Sequence, residues 1–126
     1  MSGRKSFRGP AGEEMQTVNR FSDIVELHWE PVRPDVAREV YGKPLLDEGV
    51  KLVLTRVAPG GRFSPHRDPC GHLFYFLAGE GTVHVEGETV PARPGLAVRV
   101  APGQEHAYEN TGTSDLLLLS ANIPPN

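Results

Sequence analysis

The chain has 126 residues, which is the size of about one domain. Hydrophobic residues make up 38% of it and charged residues 23%, so the composition excludes disorder throughout and provides for one modest core. The net charge is −3 without any block of Lys or Arg, which makes duplex nucleic acid an unexpected partner, because phosphates are neutralised by clustered cations.

Cysteine content and hydropathy limit the cellular compartments in which this chain is expected. Cys70 is the sole cysteine, so an internal disulfide framework is excluded. The longest apolar run, residues 116–119, is far shorter than the roughly 20 residues of a membrane helix. No apolar segment typical of a secretory signal follows the N-terminus. We therefore expect a cytoplasmic protein with no membrane or nucleic-acid partner.

The first 48 residues carry weak structural signals. Residues 1–14 are polar and contain glycine, so we expect a flexible N-terminal tail, followed by a single domain over residues 15–126. Residues 18–29 predict a strand plus a turn. Prolines nearby oppose a long helix, so residues 34–39 predict at most a single helical turn.

From residue 49 onward the sequence consists of short β-rich runs separated by Gly and Pro turns. The runs are residues 51–57, 72–77, 82–86, 96–100, 106–109 and 115–121. Strands with turn signals every 8–12 residues are typical of an all-β sandwich or barrel. No amphipathic helical pattern appears in this segment.

Four of the five histidines fall inside the strand-rich segment. Because side chains alternate along a strand, His66 and Asp68 share one face, and His106 shares a face with Tyr108. His72 is likewise in phase with two aromatic residues. If these faces line an interior, three imidazoles and a carboxylate meet there, which is costly unless a divalent metal binds them.

A single histidine on a strand is more often an ordinary surface or core residue than a ligand. We interpret His28 in this way. His84 shares a strand face with polar neighbours that solvent can reach, and the same interpretation is favoured for it. The other three are weighed together with the motifs that surround them.

The spacing of glycines and histidines resembles the two sequence motifs of the cupin superfamily. The first motif is matched in every interval by Gly60, His66, Asp68, His72 and Gly79. The second is matched in the same way by Gly95, Ala101, Gly103, His106 and Asn110. Two gapped motifs in the right order form a specific signal, and with flanking strands the similarity covers about residues 49–121.

Two departures from the family pattern bear on the metal. Asp68 stands where the family has its second histidine, and His72 stands where it has glutamate. The family's metal-ligand positions thus fall on His66, Asp68, His72 and His106, which are still three imidazoles and one carboxylate. Asp68 has an alternative role, in which it orients a histidine instead of binding the metal. The set is also similar to the two-histidine, one-carboxylate triad of non-heme Fe(II) oxygenases.

The resemblance implies an all-β fold, a double-stranded β-helix or cupin/jelly-roll barrel with one divalent transition metal inside. Fe, Mn, Ni, Zn and Cu all suit these donors, so the identity of the metal stays open. Small single-domain cupins are commonly homodimers, and here residues 15–48 would supply the N-terminal strands of that contact.

Residues near the expected metal suggest a small-molecule pocket. Phe74, Phe76 and Tyr108 would form an apolar wall, and core filling is the alternative for the two phenylalanines. Arg56 and Arg99 would pair with a substrate carboxylate if they face inward, and otherwise lie on a solvated outer face.

The catalytic residues stay unassigned. His84 and Tyr108 are the candidates for an acid or base beside the metal. Cys70 lies between two expected ligands, either as a thiolate near the cation or as a small loop residue.

These residues and the family resemblance favour a metal-binding cupin that acts as a metal-dependent enzyme. Its substrate would be a small organic acid or oxygenated metabolite, and its reaction of the dioxygenase or isomerase/lyase type. The alternative is a non-catalytic, metal-containing barrel that binds or senses a small molecule, because no residue besides the ligands stands out as a committed acid or base.

Overall fold

The structure, a computed structural model, describes residues 6–8 and 14–125, with residues 6–8 and 14–16 described by their backbone alone. These residues form eleven β-strands and one 3₁₀ helix, Ile24–Glu26. The strands are β1 Ser6–Arg8, β2 Glu14–Gln16, β3 Glu30–Pro31, β4 Ala37–Glu48, β5 Val50–His66, β6 Gly71–Ala78, β7 Gly81–Val85, β8 Glu88–Ala92, β9 Ala97–Val100, β10 His106–Asn110 and β11 Leu116–Ile123. The predicted all-β class is confirmed.

The predictions for the N-terminal part agree less well with the structure than the predicted all-β class does. The expected strand over 18–29 is wrong, because this segment holds the 3₁₀ helix, whose first turn is capped by the Asp23 carboxylate. The expected helical turn over 34–39 is shorter than predicted: the Arg33 carbonyl accepts from the Val36 and Ala37 amides, which closes one turn, and β4 begins at Ala37. Strands β1 and β2 pair antiparallel, while residues 1–5 and 9–13 of the predicted tail lie outside the described residues.

Strand β5 is longer than the pattern predicted. The run of residues 51–57 continues through the turn signal at Gly60, where φ is +81°, and ends only at His66. The first half of β5 pairs with β11 and the second half with β10, while β4 pairs along β5 from Val50 to Phe63 with a register shift. One bent strand therefore belongs to both sheets and brings His66 across the barrel.

Two antiparallel sheets result from this bend. The first contains β3, β4, the first half of β5, β11, β6 and β9, and the second contains the other half of β5, β10, β7 and β8. Apolar side chains from both fill one end of the space between them. The fully buried members of this core include Val57, Phe76, Val100, Leu116 and Leu118.

A buried amide holds the core end together. Asn110, the last residue of the second motif, donates to the Val57 and Ser114 carbonyls and accepts from the Gly112 amide. The Asn110 side chain therefore holds backbone groups of the turn in place and has a structural role at this end of the barrel.

Candidate functional site

The inward side chains of the first sheet change from polar to apolar along the barrel. Residues paired across β6, β11 and β5 lie side by side in rows. From the open end to the core the rows are His72–Asn122–Lys51, Phe74–Ser120–Val53 and Phe76–Leu118–Thr55. The histidine thus lies in the outermost row, above a mainly apolar interior.

The second sheet supplies two more imidazoles at the same end. His106 begins β10 and pairs with His66, the last residue of β5. Their rings lie 4.3 Å apart, and the His72 and His106 rings lie 4.6 Å apart. The loop between β5 and β6 brings the Asp68 carboxylate to the three rings.

Three imidazole nitrogens meet a single carboxylate oxygen. Oδ2 of Asp68 lies 3.1 Å from Nε2 of His66, 2.9 Å from Nε2 of His72 and 3.3 Å from Nε2 of His106. Each of these side chains is 10% exposed or less. Asp68 is therefore the centre of the cluster, in the position where the family pattern has a histidine.

Each ring is oriented through its other nitrogen. Nδ1 of His66 donates to the Ser64 carbonyl at 2.7 Å, and Nδ1 of His106 donates to the Gln104 carbonyl at 2.9 Å. Nδ1 of His72 lies 3.0 Å from Oδ1 of Asn122. Because a carbonyl oxygen only accepts, the proton of each neutral ring resides on Nδ1, and the lone pair on Nε2 points at the cluster centre.

The second oxygen of Asp68 has its own partner. Nη1 of Arg33 donates to Oδ1 of Asp68 at 3.2 Å, while Nε and Nη2 of Arg33 donate to the two oxygens of Asp35. Burial would raise the pKa of Asp68, but the contacts with His72 and Arg33 outweigh it and lower that pKa. Asp68 is therefore a carboxylate at neutral pH.

A cation fits this donor set. Burial lowers the pKa of His106, which keeps its ring neutral. Nε2 of each ring lies about 3 Å from Oδ2 of Asp68, and imidazole nitrogens and carboxylate oxygens are the donors that divalent transition metals bind. The donors of His66, Asp68 and His106 lie within 4.8 Å of one another, as such a site requires.

A cavity of about 570 Å³ opens beside the cluster. Apolar walls come from Phe63, Phe74 and Val53. Its floor carries linked hydroxyl groups: Ser120 hydrogen-bonds Tyr108, and its Oγ lies 3.1 Å from Oγ1 of Thr55. Burial raises the pKa of Tyr108 far above its ordinary value, so this phenol stays protonated and can donate.

Four of the predicted pocket and catalytic residues lie away from this cavity. Phe76 is fully buried in the core below it. The Arg56 guanidinium lies on the outer face, 4.5 Å from the Trp29 ring. Arg99 donates to backbone carbonyls on β6 and β9, and Nδ1 of His84 hydrogen-bonds Thr89 on the outer face of β7. Of the candidates other than the ligand set, Phe74 and Tyr108 line the cavity.

Sequence reasoning missed several polar residues of the site, among them Asn122, Lys51 and Arg33. Asn122 continues the inward alternation of β11, a signal that extending the last predicted strand by one residue would have captured. Lys51 lies four residues before Thr55 on β5, so its side chain is on the same inward face of the strand. Arg33 lies in a turn with φ of +43°, and no local pattern links it to Asp68, which is 35 positions away. Cys70, weighed as a thiolate, has its pKa raised by burial and is a thiol.

Two antiparallel sheets around a buried histidine and aspartate cluster define a double-stranded β-helix protein with a candidate metal site. A family model described as "Cupin domain" matches residues 53–122. The chain therefore belongs to the cupin family. This confirms both the resemblance and the predicted jelly-roll fold.

One curated relative is similar in sequence. It is the oxalate-binding protein of Thermotoga maritima, 33% identical over 69 residues, which are 54% of this chain and 57% of that protein. The matched region thus spans little more than half the length of this relative.

Solved structures share the fold over about four fifths of this chain. A predicted oxalate decarboxylase from Thermotoga maritima superimposes with a TM-score of 0.75 at 25% identity, over 82% of this chain and 97% of that one. The polyketide cyclase RemF from Streptomyces resistomycificus gives 0.73 at 23% identity, over 80% and 76%. The second comparison bears on the fold alone.

Within the part of the chain that the structure describes, no helix has the length and apolar character to cross a bilayer.

Proposed function

We propose that this chain binds one divalent transition metal through His66, Asp68, His72 and His106 and acts as an enzyme on a small organic acid. The convergence of three Nε2 atoms on one carboxylate oxygen, with every Nδ1 engaged elsewhere, carries this proposal. When bound, the metal would supply a Lewis acid for a chelating oxygen and, if it is iron, a centre for oxygen chemistry.

The chain's own residues suit an oxygen-rich acid. Arg33 places a cation at the rim of the cluster, and the Tyr108 phenol and Ser120 hydroxyl offer hydrogen bonds from the cavity floor. An oxalate-binding protein and a predicted oxalate decarboxylase among the similar proteins support oxalate as a first ligand to test. The reaction would be of the dioxygenase or the isomerase/lyase type.

A non-catalytic binding role is the second candidate, and one observation favours it. The raised pKa of Tyr108 disqualifies this residue as a base, and His84 faces away from the cavity. A barrel that captures an acid on its metal without converting it would need neither group.

The metal assignment is tested by titrating Mn²⁺ into metal-stripped protein by calorimetry. We expect one site per chain, and His72→Ala should weaken binding by at least about 100-fold, more than the loss of an outer hydrogen-bond partner costs. His84→Ala is the matched control and should bind Mn²⁺ like the parent. Equal binding by the His72 variant would refute the assignment of this position.

Catalysis is separated from capture by following acids in the presence of Fe²⁺ or Mn²⁺. Oxygen consumption with Fe²⁺ supports a dioxygenase, and product formation without oxygen supports an isomerase or lyase. Tight retention of oxalate with no product, across a panel of small acids and metals, supports the binding role.

We also propose a homodimer. Leu73, Tyr75 and Leu77 on the outer face of β6 are 37–43% exposed, a contiguous apolar strip of the kind that protein contacts cover. Analytical ultracentrifugation should give a dimer for the parent chain and a monomer for Tyr75→Lys. A monomeric parent at micromolar concentration would contradict this proposal.

A further inference from the structure

The cavity is larger than a two-carbon acid requires. Its volume of about 570 Å³ lies within the range of about 300–1,000 Å³ that holds drug-sized ligands. Its lining extends from His72 on β6 to Pro44 on β4. Those strands are three spacings of about 4.8 Å apart, or about 14 Å in total. Oxalate at the histidines would leave most of this space unfilled.

The middle of the cavity carries apolar side chains on both sides of the Ser120 hydroxyl. Phe63 and Phe74 line one side, and Val53 lies in the row below the histidines. A Cβ on Gly42 would lie 2.6 Å from Cγ1 of Val53 and 2.9 Å from Cγ2 of Val32, so both valines pack directly over this glycine. A ligand that reaches β4 must therefore pass an aliphatic and aromatic section.

A cation without a partner lies on β5 in the same outermost row as His72. Lys51 lines the cavity, and its side chain forms no ion pair or hydrogen bond with any residue that the structure describes. Arg33, in contrast, is already held by Asp35 and Asp68. Glu30 is the other acid on the lining besides Asp68, and it is exposed at the rim. The unpartnered ammonium favours an anionic group on the ligand.

The distance between the two charged ends sets the ligand length. Lys51 lies in the same row as His72, with Asn122 between them, so their backbones are two strand spacings or about 10 Å apart. Oxalate bound at the histidines offers no second carboxylate at that distance. An acid several carbons longer does, and its methylene groups would lie along Phe74 and Val53.

We propose that the ligand of this site is an elongated acid with two anionic ends. One end binds at the histidine and aspartate cluster, an apolar middle packs on Phe74 and Val53, and the other end pairs with Lys51. This inference rests on the proposed function, because it uses the metal-bearing cluster as the first anchor, and it defines the substrate class more narrowly.

The test is a series of straight-chain diacids from oxalate through glutarate and adipate to suberate. Each is titrated into Mn²⁺-loaded protein by calorimetry, beside monoacids of matched length. We expect affinity to rise by about fourfold per buried methylene from oxalate to adipate. Hexanoate should bind at least tenfold more weakly than adipate.

Variants locate the two parts of the site. Lys51→Met should reduce the ratio of adipate to oxalate affinity by about tenfold. Val53→Phe should shorten the cavity and reduce the same ratio, whereas Leu54→Phe, on the opposite face of β5, should leave the ratio at the parental value. Circular dichroism melting checks the fold of each variant, and Lys51→Met serves alone if Val53→Phe does not fold.

The possible outcomes separate this inference from the function on which it rests. Failure of the parent chain to bind Mn²⁺ overturns both. Tight Mn²⁺ and oxalate binding without any gain for longer diacids overturns the elongated ligand and leaves the metal site standing. An unchanged adipate to oxalate ratio in Lys51→Met overturns the role of Lys51.

Discussion

Asp68 and His72 have exchanged the chemistry expected at their positions. The family pattern has histidine and glutamate there, and this chain has a carboxylate followed by an imidazole. The candidate donors are still three imidazoles and one carboxylate, and Oδ2 of Asp68 lies within 3.3 Å of all three Nε2 atoms. The exchange also turns Oδ1 toward Arg33, and this adds a residue to the site that the family motifs do not contain.

Arg33 is expected to position Asp68 for metal binding. Removing the positive charge of Arg33 would reduce its repulsion of a metal ion at the cluster and so favour metal binding. This gain is worth less than about 1 kcal/mol, because the Arg33 side chain is 46% exposed and solvent screens its charge. Loss of an orienting hydrogen bond typically lowers metal affinity by about 10–100-fold. Arg33→Gln should therefore bind Mn²⁺ more weakly, by calorimetry.

Arg38→Gln, which removes the same charge from an exposed position on β4, should bind Mn²⁺ as the parent chain does. Tighter binding by Arg33→Gln would show that repulsion of the metal, and not orientation of Asp68, governs this residue.

The individual site residues could be predicted from sequence only where a spaced pattern carried them. His72 and His106 stand out because they alternate with aromatic residues, and His66 because it alternates with Asp68, all inside gapped motifs. Arg33 and Lys51 could not be found in this way, since their place in the site depends on the bend of β5 and on a turn in the N-terminal segment. The same limit explains why the sequence left both faces open for Arg56: strand phase is ambiguous until the register of the partner strand is known.

Turns between strands determine how closely the two sheets approach. Gly79 ends the first motif with φ of +90°, and a Cβ there would overlap the Asp115 carbonyl oxygen and lie 2.8 Å from Cα of Leu116. Gly87 has a similar φ of +83°, but a Cβ on this residue would meet no atom within 4 Å. Both glycines have a left-handed backbone, but only at Gly79 do neighbouring backbone atoms leave no room for a Cβ.

Alanine at these positions separates the two effects. Gly87→Ala should lower the free energy of unfolding by about 1–2 kcal/mol, the cost of a left-handed backbone for an L-residue. Gly79→Ala should lower it by a further ~1–3 kcal/mol, because backbone atoms of β11 must move. Urea denaturation measures both, and equal losses would mean that the close approach at Gly79 is not limiting.

Most strands after residue 49 were predictable, although β8 lies in none of the predicted runs, and those before it were poorly predictable. Alternation and Gly or Pro turns mark the runs from residue 51 onward, and each run contains part of an observed strand. Strand β4 was missed because Gly42 and Pro44 interrupt its pattern, and its stability comes from pairing along β5. Propensity is a weak guide where tertiary pairing decides.

The stability of the whole molecule should depend on pH through His106. Burial lowers the pKa of this ring in the folded chain, so unfolding lets it take up a proton below its ordinary pKa of 6.5. The contribution of neutral, buried His106 to the stability of the fold is complete above pH 6.5 and is lost as the pH falls toward the lowered pKa of the folded chain. Asp68 acts in a separate pH range. Its lowered pKa stabilises the folded chain above the ordinary value of 3.8, and this contribution is lost as the pH falls below 3.8.

Urea unfolding of metal-free protein between about pH 7.5 and 5.5 tests this dependence. The parent chain should lose stability with falling pH more steeply than His106→Gln, which has no ring to protonate. Parallel slopes for the two proteins would indicate that His106 is already solvated in the folded state.

The central claim is that the four side chains at the open end of the barrel bind one cation. The most direct measurement is an anomalous difference map from crystals soaked with Zn²⁺. We predict a single strong peak about 2.0–2.2 Å from Nε2 of His66, His72 and His106 and from an oxygen of Asp68. Density for the four side chains with no peak among them, at saturating Zn²⁺, would contradict the claim.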